Sequence, residues 1–340
     1  MSTRACPASS VDNNGTMRSR YGPPDVLELA DVAKPVAKDD EVLIRVRTAE
    51  ATKSDCEMRS FNYSVKWFWL PLRIALGVRR PRRKILGGYF AGEIESVGKN
   101  VRHSAPGDQV FACGQFRLGG YGEYVALPAS YAIAPKPANM SFAEAAAVPL
   151  GGLNALHFMR LAKIQPSEQV AINGAGGSIG SYAVQIAKSM GGEVTAVDSA
   201  RKEAGLRSFG ADHFVDYARA DFTAGGRTYD VIFDMVPGSS YSACVNALRP
   251  RGRYLAGNAR LSTMLRCLWT TRFTDKTCRV APARETAEAL LALKQMIEDE
   301  TIGSIVDAVY PMEQAAAAHH RVDTEQRVGA IVIADDGNAA

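Results

Sequence analysis

Two rhythms of apolar and polar positions divide the chain. Between Tyr21 and Leu127, short alternating or compact apolar runs at 41–46, 90–98, 108–112 and 122–127 stand between Gly and Pro turns. That pattern predicts the strands of a small β-barrel-like domain. From Ser141 the period changes. A helical stretch (142–162) is followed by a buried strand and turn (169–177), a helix (178–191), a strand (193–198), a helix (200–210) and strands at 213–217, 230–236 and 253–258. Such alternation predicts an α/β fold, a doubly wound parallel sheet of the Rossmann type. The tail supplies a helix (284–300), a short helix (312–320) and a last strand (329–334).

A chain of 340 residues suits two domains of roughly 150 residues each. Hydrophobic residues are 46% and charged residues 22%, and no run of about 20 uncharged apolar residues exists to form a transmembrane helix. Residues 1–17 lack the apolar stretch of a secretory signal and read as a disordered extension, with Met17 a candidate true start. The six cysteines are scattered, without a CxxC pair or a nearby His, which points to a reducing, cytoplasmic compartment and to no metal site. The formal charge of +4 is too small and diffuse to imply nucleic acid.

The strongest chemical signal is Val170-Ala-Ile-Asn-Gly174-Ala-Gly176-Gly177-Ser178-Ile179-Gly180, between a strand and a helix. Glycines let the turn tighten, let the backbone approach a pyrophosphate and let the helix pack on the strand. The helix N-terminus then offers free N–H groups to the phosphates. The next strand ends at Asp198, 18 residues past Gly180, near the spacing of an acid that binds ribose hydroxyls. The dinucleotide site is assigned to Gly174, Gly176, Gly177, Ser178, Ile179, Gly180, Asp198, Ser199, Lys202, Tyr217, Val236 and Asn258. The cofactor is NAD(P)H. Asp198 leans the choice slightly toward NADH, while Arg201 and Lys202 suit a 2′-phosphate, so the two remain open.

An ordered set of motifs from Tyr21 to Ala334 resembles the medium-chain dehydrogenase/reductase superfamily, within it the zinc-independent quinone oxidoreductase-like branch. It comprises Tyr21-Gly-Pro-Pro-Asp-Val-Leu, Gly87-Gly-Tyr-Phe-Ala-Gly92 with Val97-Gly98, Pro106-Gly-Asp-Gln-Val110, Ala145-Ala-Ala-Val-Pro149, the glycine loop with Gln185 and Lys188, Gly210-Ala-Asp-His213 and Ala318-His319. The resemblance implies a GroES-like β-barrel catalytic domain split around the Rossmann domain: 18–140, then 141–270 for the Rossmann part, then a return over 271–340. The active site falls in the cleft between them. Where zinc alcohol dehydrogenases hold their metal, the matching positions are Thr52, Gly88 and Gly151 or Gly152, none of which ligates zinc. Without a Lewis acid, electron-poor quinones and enones are the easier acceptors, with hydride supplied by the cofactor. Zinc-type alcohol dehydrogenase and a non-catalytic, cofactor-bound scaffold or membrane adaptor are the alternatives.

Thr52 and Asn154 are the first candidate donors to a developing oxyanion, followed by Lys53 and Tyr89. Asp55 and Arg59, four apart, predict a local ion pair rather than catalysis. The five histidines read as structural. Residues 61–84 form a long aromatic insertion with six Lys or Arg between 73 and 84, and 261–273 is a second greasy piece. Three readings compete: a lid for an apolar substrate, peripheral contact with an anionic membrane, or mutual cover, including by a partner in a homo-oligomer.

Overall fold

The computed structural model describes residues 12–63 and 69–335. The N-terminal part carries β1 (Asp12–Arg18), β2 (Leu27–Ala33), β3 (Glu41–Ala51), helices α1 (Lys53–Ser60) and α2 (Trp69–Leu76), then β4 (Tyr89–Val97), β5 (Gln109–Cys113), β6 (Tyr124–Pro128) and β7 (Ile133–Pro135). Helices α3 (Phe142–Ala146) and α4 (Val148–Ala162) lead into the parallel part: β8 (Gln169–Asn173), α5 (Ser178–Ser189), β9 (Glu193–Asp198), α6 (Glu203–Ser208), β10 (His213–Asp216), β11 (Tyr229–Asp234), α7 (Tyr241–Asn246), β12 (Leu248–Ala256), α8 (Leu261–Phe273) and β13 (Thr277–Val280). The chain ends with α9 (Ala287–Glu298), β14 (Val306–Pro311), α10 (Ala315–Asp323) and β15 (Ala330–Ala334).

The parallel sheet runs β10-β9-β8-β11-β12-β13. Counted along the chain from β8, this is the order 3-2-1-4-5-6 of a dinucleotide-binding sheet, whose direction reverses between β8 and β11. Its strands read as near-continuous apolar runs because helices cover both faces. α4, α5 and α9 bury Leu153, Tyr182, Ile186 and Leu290 on one face, and α7 and α8 bury Cys244 and Cys267 on the other. The second sheet is mixed and runs β14-β15-β3-β4-β5-β7, with β6 also paired to β3. Residues 306–334 therefore return to the first domain and complete its sheet.

Two expectations change. Residues 12–18 form a strand antiparallel to β2 rather than part of a disordered extension, because Thr16 is anchored to Tyr121 and Met312; residues 1–11 lie outside the described residues. The Rossmann sheet also runs past the boundary expected at 270, since β13 pairs with β12 in parallel register.

Candidate active site

The glycine loop joins β8 to α5 at the point where strand order reverses. Gly174 has φ +84, a left-handed turn that an L side chain rarely adopts. A Cβ on Gly180 would lie 2.2 Å from the Gly174 carbonyl oxygen, so only glycine lets the helix pack on the loop. One on Gly176 would meet the Lys202 side chain at 2.3 Å. At Gly177 the nearest atom would be 3.7 Å away, leaving open space above the loop. Gly177 is the N-cap of α5 and no side chain caps it; the loop bridges Gly329 in parallel, and the amides of Ile179 and Gly180 stay available to an external acceptor. That cradle fits a dinucleotide pyrophosphate.

The other residues assigned to the cofactor gather at the carboxyl ends of neighbouring strands. Asp198, buried at the end of β9, accepts from the amides of Gly176 and Ser199, each at 2.8 Å, and pairs with Lys202 at 3.1 Å. Tyr217 and Val236, past β10 and β11, are exposed, and the Asn258 amide donates to the Met235 carbonyl at 3.0 Å. A cleft of about 290 Å³ opens between β11, β12 and α8, lined by Val236, Asn258, Arg260 and Arg266. Asp234 lies at its base. This buried acid, which sequence reasoning missed, accepts from Asn173, Tyr254 and Ser239.

The four candidate donors part ways. Thr52 is the N-cap of α1: its hydroxyl donates to Asp55 Oδ2 at 2.6 Å and accepts from the Asp55 amide at 3.0 Å. This capping box spends the proton that an oxyanion would need. Lys53 is also committed elsewhere, its Nζ lying 2.9 Å from Glu325 and 3.9 Å from Asp323. Asn154, half-buried on α4, gives one N–H to Leu150 at 2.9 Å. Tyr89, at the start of β4, donates to Glu285 at 2.6 Å, and burial pushes both the phenol and the carboxyl up. Glu285 had no signal in the sequence, being 196 residues from its partner. β4 and α4 pack together, and Tyr89 lies against the apolar core that α4 helps to form.

The expected Asp55–Arg59 pair does not form. Asp55 accepts from Thr52 and the Gly87 amide, while Arg59 reaches His319 at 2.8 Å and Asp323 at 2.9 Å. His319 also meets Tyr121 at 2.9 Å, and burial with Arg59 beside it lowers its pKa to about 3. A guanidinium can only donate, so this network assigns the ring proton to Nε2. Among the described residues no three His, Cys, Asp or Glu side chains converge to hold a metal ion.

Residues 38–138 match the model of the alcohol dehydrogenase GroES-like domain, and residues 209–333 that of the zinc-binding dehydrogenases. Together with the sheet order and the glycine cradle, these matches place the chain in the medium-chain dehydrogenase/reductase superfamily. It is 29% identical over 318 residues to the quinone oxidoreductase of Sus scrofa, covering 89% of this chain and 92% of that one. Its fold superposes on the quinone oxidoreductase from Coxiella burnetii with a TM-score of 0.84 at 25% identity, covering 95% and 99%. Within the superfamily the chain belongs to the quinone oxidoreductase-like group. It is 32% identical over 226 residues to the 2-methylene-furan-3-one reductase of Solanum lycopersicum, covering 64% of this chain and 55% of that one. The chain thus spans about half of that reductase, and 14% of another, much longer relative.

Proposed function

We propose that the protein reduces a quinone, enone or related small carbonyl with NAD(P)H, by hydride transfer and without zinc. The observation that carries the reading is the uncapped N-terminus of α5 above an open three-glycine cradle at the reversal point of the sheet. When bound there, a reduced nicotinamide supplies the hydride. The chain's own residues bind the diphosphate on the loop amides and hold a proton at Tyr89 Oη. In the resting site the phenol donates to Glu285, whose carboxyl burial pushes up, and on turning from that carboxyl it gives its proton to the acceptor oxygen. Asn154 keeps a second N–H for the same oxyanion.

Absence of zinc is supported by the donor set. A Cβ on Gly151 would fall 2.5 Å from the Ser178 carbonyl oxygen and 2.6 Å from the Tyr182 ring, leaving no room for a ligating side chain. NADH is favoured over NADPH because Asp198 already neutralises Lys202. The five described cysteines are free and buried, which suits a reducing cytoplasm.

Consumption of NADH and NADPH against a panel of quinones and enals tests the reading. Tight dinucleotide binding with no acceptor turned over would replace it with a scaffold, and stoichiometric zinc by elemental analysis with an alcohol dehydrogenase. Tyr89→Phe is expected to lower kcat about 100-fold. Its dinucleotide Kd should not move, and an unchanged kcat would remove Tyr89 from the reaction.

A second reading concerns the surface. Trp69, Leu70, Ile74 and Val78 are exposed on and after α2, beside exposed Arg79, Arg80, Arg82, Arg83 and Lys84. The apolar residues of α8, Leu265, Leu268 and Trp269 among them, are exposed too, so among the described residues these exposed faces are not covered by one another. Trp67 and Phe68 lie outside the described residues. Such a patch suits peripheral contact with an anionic membrane. Vesicles rich in anionic lipid should float with the protein and release it on Trp69→Ala with Leu70→Ala. Flotation lost from neutral and anionic vesicles alike would leave the patch to a homo-oligomer. No helix among the described residues is long and apolar enough to cross a membrane.

A further inference from the structure

Glu50 lies near the end of β3, 1% exposed, and its Oε2 makes no hydrogen bond. A buried carboxyl oxygen left unpaired is costly, so its surroundings carry information. The hydroxyl of Ser178, the first residue of α5, is likewise buried without a hydrogen-bond partner, and its interaction with the carboxyl favours the charged form. α4 makes room for that hydroxyl with Gly151, where a Cβ would sit 2.8 Å from Ser178 Oγ. The carboxyl therefore backs onto the same helix N-terminus whose amides form the phosphate cradle.

Charged and titratable groups face Glu50 from every side. Asp55 of α1 opposes its ionisation, and Arg327, ahead of β15, favours it. Tyr89 of β4, Cys113 of β5, Tyr121 ahead of β6, and Tyr182 of α5 are buried neighbours that feel its charge, and its cross-strand partner Val332 is apolar. One guanidinium does not offset the burial.

We propose that Glu50 is a proton-coupled sensor of the dinucleotide phosphates, holding a proton while the diphosphate occupies the α5 N-terminus and weakening cofactor binding when it ionises. The inference rests on the dinucleotide reading of the glycine loop. A carboxylate behind the helix end and a diphosphate in front of it compete for one positive pole. Burial pushes the Glu50 carboxyl up to about 8 in the free protein. An arriving anion raises it further, because a like charge disfavours ionisation. Between those two values binding takes up a proton, so affinity is flat below about pH 8 and falls above it, up to tenfold per pH unit.

Calorimetry of NADH binding in two buffers of different ionisation enthalpy tests this at about pH 7 and about pH 9. Uptake should be near zero at the lower pH and approach one proton at the higher, with Kd rising several-fold. Glu50→Gln, neutral at every pH, should abolish both the uptake and the rise in Kd. Infrared difference spectra should show protonated-carboxyl absorption gained on binding at the higher pH in the unmodified protein. Binding without proton uptake, or an equal pH slope in Glu50→Gln, would overturn the inference and leave the dinucleotide reading standing. If NADH did not bind at all, both would fall. Should the variant not fold, the uptake and the infrared signal still decide.

Discussion

Replacing Gly177 by aspartate is expected to weaken dinucleotide binding on the order of 100-fold while leaving the fold intact or slightly more stable. The position has φ −82 and ψ 172, which any residue adopts, and nothing within 3.7 Å of an added Cβ. Aspartate is a favoured N-cap and its carboxylate suits a helix N-terminus, a gain of about 1 kcal/mol. The same carboxylate occupies the anion site and repels a phosphate about 4 Å away by roughly 4 kcal/mol at an effective dielectric of about 20. Discounted for solvent in the open loop, about 3 kcal/mol remains, a loss on the order of 100-fold in affinity. Calorimetry and thermal melting check the two halves separately. Binding within tenfold of the parent, with the melting temperature unchanged, would show that the diphosphate lies elsewhere.

The second large effect is the dependence of stability on pH, where two buried groups pull in opposite directions. His319 has a folded pKa of about 3 against 6.5 for a free histidine, so the unfolded chain binds the extra proton and stability falls as pH drops below 6.5. Glu50 has a folded value of about 8 against 4.5, so the folded chain binds the proton and stability falls as pH rises above 4.5. Between 4.5 and 6.5 the two slopes offset each other. From 6.5 to 8 the Glu50 slope acts alone and costs on the order of 2 kcal/mol, and the raised Asp55 and Glu285 carboxyls share its sign. On the acid side, depressed carboxylates such as Asp212 and Asp323 act with His319. Urea unfolding across this range should show highest stability in mildly acidic solution, with the alkaline limb flattened in Glu50→Gln. Stability that rises from 6.5 to 8 in the parent would contradict the assignment.

What could be read before the structure was what depends on a few consecutive residues. The glycine loop was legible because each of its glycines answers a local demand: a left-handed turn at Gly174, contact with the loop carbonyl at Gly180, an open face at Gly177. The change from alternating to helical periodicity near Ser141 separated the mixed sheet from the parallel one for the same reason. Thr52 was a different case. Its spacing to Asp55 is that of a capping box, and the same short polar side chain in a turn also suits a donor in the cleft, so the local pattern alone does not separate the two roles.

Long-range partners left no trace. Glu50 looks like one more polar position on a strand until α5, far along the chain, closes over it, and Glu285 acquires a role only beside Tyr89. Asp55 and Arg59 have the spacing of a helix ion pair, yet both turn inward, where the Gly87 amide and His319 offer buried partners that solvent exposure would not.

The return of the last strand has a consequence for how the chain is made. β15 lies between β14 and β3, and Gly329 donates from its amide to the Gly176 carbonyl on the phosphate loop. Contacts spanning nearly the whole chain form late, since loop closure must precede them. Until β15 has been made, residues 48–51 of β3 keep an unpaired edge beyond the stretch that β6 covers, a template for wrong pairing that a chaperone would have to shield.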